Sequence, residues 1–160
     1  MDYEVVIKKY EDKYEKEVGD LVITAWTPLR EVAKCELGNE IYDTVFANWQ
    51  DSKRNGVIAD MKANDSYVAL IEDKVVGFIY YKVNGKVGVI GENAVAPDYK
   101  GRGIAQKMYA LVLEKMKENG AEIATVYTGL DDGHAPARKA YEKAGFSKNL
   151  KHVSYYQILK

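Results

Sequence analysis

A short glycine-rich turn between an apolar run and a helix-like stretch constrains this chain more than any other feature. It reads VAPDYKGRGIA, from Val95 to Ala105. A backbone that brings its amides against an anion needs residues without a Cβ, and Gly101 and Gly103 supply them. The first N–H groups of the following helix have no internal acceptor, and the helix dipole adds positive potential there. The pattern predicts a pyrophosphate-binding turn. A dinucleotide turn would need three glycines in an early βαβ unit; the run GRGIAQ puts Gln106 at the third position and follows several strands, which argues against it. An ordinary strand-to-helix loop is the plain alternative.

Read as Lys100-x-x-Gly103-x-Ala105 after Val-x-Pro, the same residues resemble the acetyl-coenzyme A signature of the GNAT N-acetyltransferase family. That signature usually runs Gln or Arg, two residues, Gly, one residue, then Gly or Ala, so Lys100 departs from it. Further along, HAPARKAYEKAGF, from His134 to Phe146, resembles the family's second signature. Ala137, Tyr141, Glu142, Gly145 and Phe146 fall in register, with His134 in the asparagine position. Two signatures in order are far more specific than one. The resemblance covers about Val68 to Phe146 well, the first strand loosely, and Thr24 to Asn64 hardly at all.

At 160 residues the chain suits a single domain. Its 23 basic and 24 acidic side chains balance, so a polyanion such as nucleic acid is not an expected partner. No apolar run approaches the roughly 18 residues of a membrane span, and the N-terminus MDYEVVIKKY is charged too early for a signal peptide. The expected address is the cytoplasm, without a membrane partner. The single Cys35 agrees with a reducing compartment; its setting in REVAKCELG predicts a helix and a buried, structural role. One Cys and two separated His give no metal-ligand spacing, so no metal is expected.

Along the chain, Tyr3 to Lys9 reads as a strand and about Lys13 to Trp26 as a helix that Thr27 and Pro28 help to end. Two more helices are expected between Leu29 and Ala63, one with Ile41, Val45, Phe46 and Trp49 on a face, the other with Val57, Ile58 and Met61. The period then becomes two. Ser66 to Glu72 and Val75 to Val83 read as strands joined at Asp73 and Lys74, and Asn84-Gly85 signals a hairpin into Lys86 to Ala96. A helix with Ile104, Met108, Leu111, Val112 and Met116 as its apolar stripe runs to about Asn119, where Gly120 stops it. Ile123 to Thr128 reads as a buried strand, Pro136 opens a helix that Gly145 ends, and strands near Phe146 and from Val153 to Leu159 close the chain.

This order predicts an α/β fold: one domain over residues 1–160, with a mixed, mostly antiparallel sheet flanked by helices, as the GNAT acyl-CoA N-acyltransferase fold would have it. Residues 24–64 form a helical insert on the acceptor side, and 86–120 the strand, turn and helix that bind pyrophosphate. The resemblance implies acetyl-CoA as cosubstrate and an amine as acceptor, joined by direct attack in a ternary complex. A homodimer is left open.

Acetyl transfer to an amine needs a base, an oxyanion donor and an acid for the departing thiolate. The resemblance implies that the strand ending at Val95 splays and offers a main-chain amide to the acetyl carbonyl. It also assigns the acid to Tyr141, a phenol that stays protonated at neutral pH; packing on the sheet is the other reading for one of 13 tyrosines. Glu92, on the same strand, reads as base or bystander, with burial expected to raise its pKa, and Asp43 and Glu40 are runners-up. Lys100, Gly101, Arg102, Gly103, Ile104 and Ala105 form the turn, with Lys107 flanking it. His134, a further candidate for the base, is read first as a coenzyme A contact or a helix cap, and Arg138 as a reach to the adenine-ribose end. Trp26, Tyr42, Asp43 and Trp49 are candidates for the acceptor pocket, with Tyr80, Tyr155 or Tyr156 opposite; helical spacing makes Trp49 and Trp26 core residues first. The competing functions are a coenzyme A-binding sensor without turnover and a protein or peptide acetyltransferase.

Overall fold

The computed structural model describes residues 4–160. Five strands form one sheet in chain order: β1 (Val6–Lys9), β2 (Asp65–Ile71), β3 (Lys74–Asn84), β4 (Val87–Val95) and β5 (Ile123–Val126). The first three junctions are antiparallel and β4 meets β5 in parallel, so the sheet is mixed and mostly antiparallel, as expected. Tyr3, in the predicted first strand, lies outside the described residues. The β2–β3 turn is made by Glu72 and Asp73, whose positive φ of 49° and 62° suits a two-residue hairpin and sets the turn one residue earlier than predicted.

Period-two alternation sends neighbouring residues of β2 and β3 to opposite faces. On one face Val68, Leu70, Phe78 and Tyr80 pack with Val18, Leu21, Val22, Val57, Ile58 and Met61 of helices α1 (Glu15–Val45) and α2 (Trp49–Ala63). On the other, Tyr67, Ala69, Ile79 and Tyr81 pack with the predicted stripe of α3 (Ile104–Glu118) and with Tyr141 of α4 (Ala135–Lys143). Val18, Val22, Val68 and Phe78 are fully buried, and such a side chain contributes about 1.5–3 kcal/mol.

Five expectations are corrected. The strand read from Ile123 to Thr128 ends at Val126 and is not buried, because β5 lies at the edge of the sheet beside β4, with Ile123 exposed. Pro28 does not end the first helix, which continues to Gly38 and breaks there at φ 74°, ψ 164° before a short arm to Val45. Contacts to α2 on both sides of Pro28, through Trp26 to Lys53 and Arg30 to Trp49, hold the helix across the bond that proline removes. Ile41, Val45, Phe46 and Trp49 do not share one helix: left-handed Asn48 separates Trp49, which opens α2, and Val45 is exposed. Cys35 is exposed rather than buried, because its turn of α1 faces away from the sheet's core clusters. The closing strands do not form. After Phe146 the chain has no regular secondary structure; it passes Tyr127 at His152 and ends with Lys160 paired to Glu40 on the short arm of α1, away from any strand partner.

Candidate active site

β5 leaves β4 at the pair Ile90 and Val126, while β4 runs on through Gly91 to Val95. That stretch keeps β3 on one side and has no strand on the other among the described residues. The Ala96 amide donates to the Val76 carbonyl at 2.8 Å, so in the antiparallel ladder the Val95 N–H points the other way, into the gap. A backbone donor facing an open edge is what an oxyanion needs.

The turn follows at once. Gly101 and Gly103 adopt φ of 77° and 76°, and a Cβ built on either would meet nothing within 4 Å. Gly103 is the N-cap of α3 and no side chain caps it. The Lys107 amide is the first to bond back, to the Gly103 carbonyl at 3.1 Å, which leaves the preceding N–H groups facing outward. Ile104 is buried and anchors the turn, Ala105 is half-buried, and Lys100 is exposed. Arg102 lies over the Tyr99 ring and donates to the Asp98 carbonyl at 3.1 Å.

Tyr141 faces this gap from α4. Asn93, on β4, donates from Nδ2 to the Tyr141 hydroxyl at 3.0 Å and to the Gly91 carbonyl at 3.1 Å, and its Oδ1 accepts from Tyr109 at 2.8 Å. Tyr141 thus accepts from Asn93 and keeps its own proton for another partner. Burial pushes its pKa up, against the Asn93 and Tyr109 hydrogen bonds, so the phenol is a proton donor across the neutral range. His134 sits at the N-cap of α4 without capping it by its side chain; its Nδ1 lies 2.6 Å from Asp131. Arg138 donates to the carbonyls of Gly129 and Asp131 at 2.7 and 2.8 Å, and so ties down the loop before α4.

The opposite face of β4 carries Glu92. A bulge sets Gly91 and Glu92 against Tyr80, and the Tyr80 ring lies so close to Gly91 that a Cβ there would stand 1.9 Å from it. This seats the Tyr80 hydroxyl between Glu92 and Asp60, the latter at 2.9 Å. Lys53 of α2 reaches the other Glu92 oxygen at 2.6 Å, with its ammonium 4.7 Å from the centre of the Trp26 ring. Trp26 in turn stacks on Phe78. Burial alone would raise the Glu92 pKa, as the sequence led us to expect; the hydrogen bonds from Lys53 and Tyr80 outweigh it and hold the carboxyl below the usual range. Glu92 is therefore ionised at neutral pH.

Of the candidate acceptor residues, Trp26 joins Glu92 through Lys53. Tyr42 and Asp43 lie on the short arm of α1 instead, against Phe46 and Lys34. Asn93, Tyr109, Lys53 and Asp60 were not singled out from the sequence. Asn93 adjoins Glu92, but nothing in a strand's alternation says that its amide joins two phenols.

Residues 26–146 match the Acetyltransferase (GNAT) family. The chain belongs to that family. It is 41% identical over 63 residues to the mycothiol acetyltransferase of Corynebacterium aurimucosum, covering 39% of this chain and 19% of that protein. It is 31% identical over 96 residues to N-alpha-acetyltransferase 30 of Schizosaccharomyces pombe, covering 57% of this chain and 63% of the relative. The chain thus spans less than two thirds of the length of either. Among solved structures, the PaiA N-acetyltransferase of Thermoplasma acidophilum in complex with coenzyme A superposes with a TM-score of 0.70 at 15% identity, over 90% of each chain. The aminoglycoside acetyltransferase AAC(6')-Iy, in complex with a coenzyme A bisubstrate analogue, does so with a TM-score of 0.65 at 14% identity, over 97% of this chain and 99% of that one. These likenesses show the fold.

Proposed function

We propose that this GNAT protein transfers an acetyl group from acetyl-CoA to the primary amine of a small molecule, by direct attack in a ternary complex. The observation that carries this is the Val95 N–H, turned into the gap between β4 and β5, with the Gly101 to Ala105 turn leading away from it. The turn would receive the pyrophosphate through amides that lack partners, and Val95 would hold the acetyl oxygen as it gains charge. Glu92, on one side of the strand, would take the proton of the attacking amine. Tyr141, reached through Asn93 on the other, would protonate the departing thiolate. Lys100, Arg102, His134 and Arg138 would line the cofactor's path as lesser contacts.

Trp26, Glu92, Tyr80 and Asp60 together make a site for a cation, which favours a small amine that is charged in solution. The coenzyme A complexes of PaiA and AAC(6')-Iy support the cosubstrate, and the aminoglycoside analogue supports a small cationic acceptor. Tyr42 and Asp43 would meet only a long acceptor. The S. pombe relative supports the second reading, a protein amino group as acceptor. A cytoplasmic address belongs to the same proposal; no helix among the described residues is long and apolar enough to cross a membrane. So does a homodimer, favoured by the exposed apolar side chains on β5, just after it and in the final residues, Ile123, Tyr127, Val153 and Tyr155 among them.

The test is release of free thiol from acetyl-CoA across a panel of polyamines, aminoglycosides, amino acids and peptides. We expect turnover with small cationic amines. Turnover on peptides alone would move the reading to a protein acetyltransferase, and coenzyme A binding without turnover on any acceptor would make the chain a sensor. Light scattering over a concentration series checks the dimer.

A further inference from the structure

The carboxylate assigned as base already holds a primary amine, and that amine belongs to the protein. We propose that the site acetylates its own Lys53. The inference rests on the acetyltransferase reading above, and three observations carry it.

Lys53 Nζ lies 2.6 Å from Glu92 Oε1, where the nitrogen of an acceptor would have to stand to lose its proton. Its side chain is 20% exposed, while the other lysines in ion pairs among the described residues range from 39% to 88%. Those pairs lie on the surface and this one lies in the cleft. Finally, Glu92 belongs to the part of β4 that β5 has left, the same stretch that turns the Val95 N–H into the gap. Glu92 and Val95 are three residues apart, about 10 Å along a strand, and the four-carbon stem of Lys53 lets Nζ swing toward that edge once its proton is gone.

The step balances without any further reactant. The Lys53 ammonium gives one proton to Glu92, which passes it to solvent, and the neutral amine forms a bond to the acetyl carbon. The carbon–sulfur bond breaks as the carbonyl re-forms, and Tyr141 protonates the coenzyme A thiolate. The second proton leaving the lysine nitrogen restores Tyr141. The products are an amide on Lys53 and free coenzyme A. The amide has no charge and cannot pair with Glu92 as the ammonium does, so the modification also clears the carboxylate for a diffusible acceptor.

The full chain is incubated with acetyl-CoA and no added amine, and acetylated lysines are mapped by peptide mass spectrometry over time. Lys53 is expected to be modified first, at a rate that saturates with acetyl-CoA and does not change with protein concentration, as an intramolecular transfer requires. Lys86, exposed on the β3–β4 hairpin, serves as the internal measure of uncatalysed acetylation and should respond linearly to acetyl-CoA. Glu92→Gln should slow Lys53 on the order of 100-fold and leave Lys86 alone. The wild-type measurements decide the matter even where a variant misfolds. Lys53 unmodified, or modified no faster and no more saturably than Lys86, in protein that binds coenzyme A and acetylates a small amine overturns this inference and leaves the proposed function standing. Failure to bind coenzyme A by calorimetry overturns both.

Discussion

The two sides of β4 are built on different principles. On the side of the turn, α3 and α4, the groups that would face the anion and the acetyl oxygen are main-chain amides, Val95 N–H at an open edge and the first N–H groups of α3 behind Gly103, with Tyr141 and Asn93 as the side chains beside them. On the side of α1 and α2, they are side chains brought together from far apart, with Lys53 meeting Glu92 across 39 positions and Tyr80 meeting Asp60 across 20. A site made of backbone is specified by local conformation and resists side-chain exchange. A site made of distant side chains depends on helix packing, and single substitutions change what it holds.

That contrast can be broken at several points. The largest effect is expected from Gly103→Asp, which puts a carboxylate and a strained φ of 76° at the turn proposed to receive the anion. Coenzyme A affinity measured by calorimetry should fall on the order of 100-fold or more, and unchanged affinity in a folded variant would remove the turn from the site. Glu92→Gln comes next, with a loss in turnover on the order of 100-fold and little change in coenzyme A affinity. The Glu92 carboxyl is held below its ordinary range, so it stays ionised as pH falls from 8 to about 5, and this loss should be uniform across that window. An acid limb near neutrality that disappears in the variant would mean that Glu92 titrates there after all. The same depression adds stability that is present above the unfolded pKa and lost as pH falls through the lower, folded one; wild type and variant should therefore converge in melting temperature only in strong acid.

Tyr141→Phe should lower the maximal rate by about 10- to 100-fold, the low end for a general acid because a thiolate is already a fair leaving group. The fall should be steepest at alkaline pH and partly restored by a more acidic thiol analogue; full activity would leave Tyr141 as a packing residue beside Tyr109 and Phe146. Asn93→Ala sharpens the same point, since it removes the donor to Tyr141 without touching the phenol. The smallest effect belongs to Val95→Ala, which shortens a side chain and keeps the N–H. Turnover within a few-fold of wild type is expected, and a loss as large as that of Glu92→Gln would show that the side chain, not the amide, acts here.

The hairpins, the stripe of α3 and the opening of α4 were legible because each rests on a short-range rule. Gly85 and Gly120 do sit at positive φ where a turn and a helix end were read, and Pro136 does lie in the first turn of α4. Pro28 misled for the opposite reason: its local cost is real, but contacts to α2 on either side of it outweigh that cost. The final residues misled similarly. Val153 to Leu159 is rich in the β-branched and aromatic residues that strands favour, yet a strand exists only beside another, and this segment runs to the short arm of α1.

By itself, the sequence determined the family, the order of elements from β2 to α4, the turn at Gly101 and Gly103, and the candidates Tyr141 and Glu92, because motif spacing and backbone conformation are properties of neighbouring residues. Tertiary structure alone decided which way the Val95 N–H points, since that follows from the register of β4 on β3 and from where β5 departs. It also decided that Glu92 is charged rather than neutral. Burial and ion pairing push a carboxyl in opposite directions, and which one wins depends on whether a lysine on a distant helix arrives within hydrogen-bond reach, as Lys53 does.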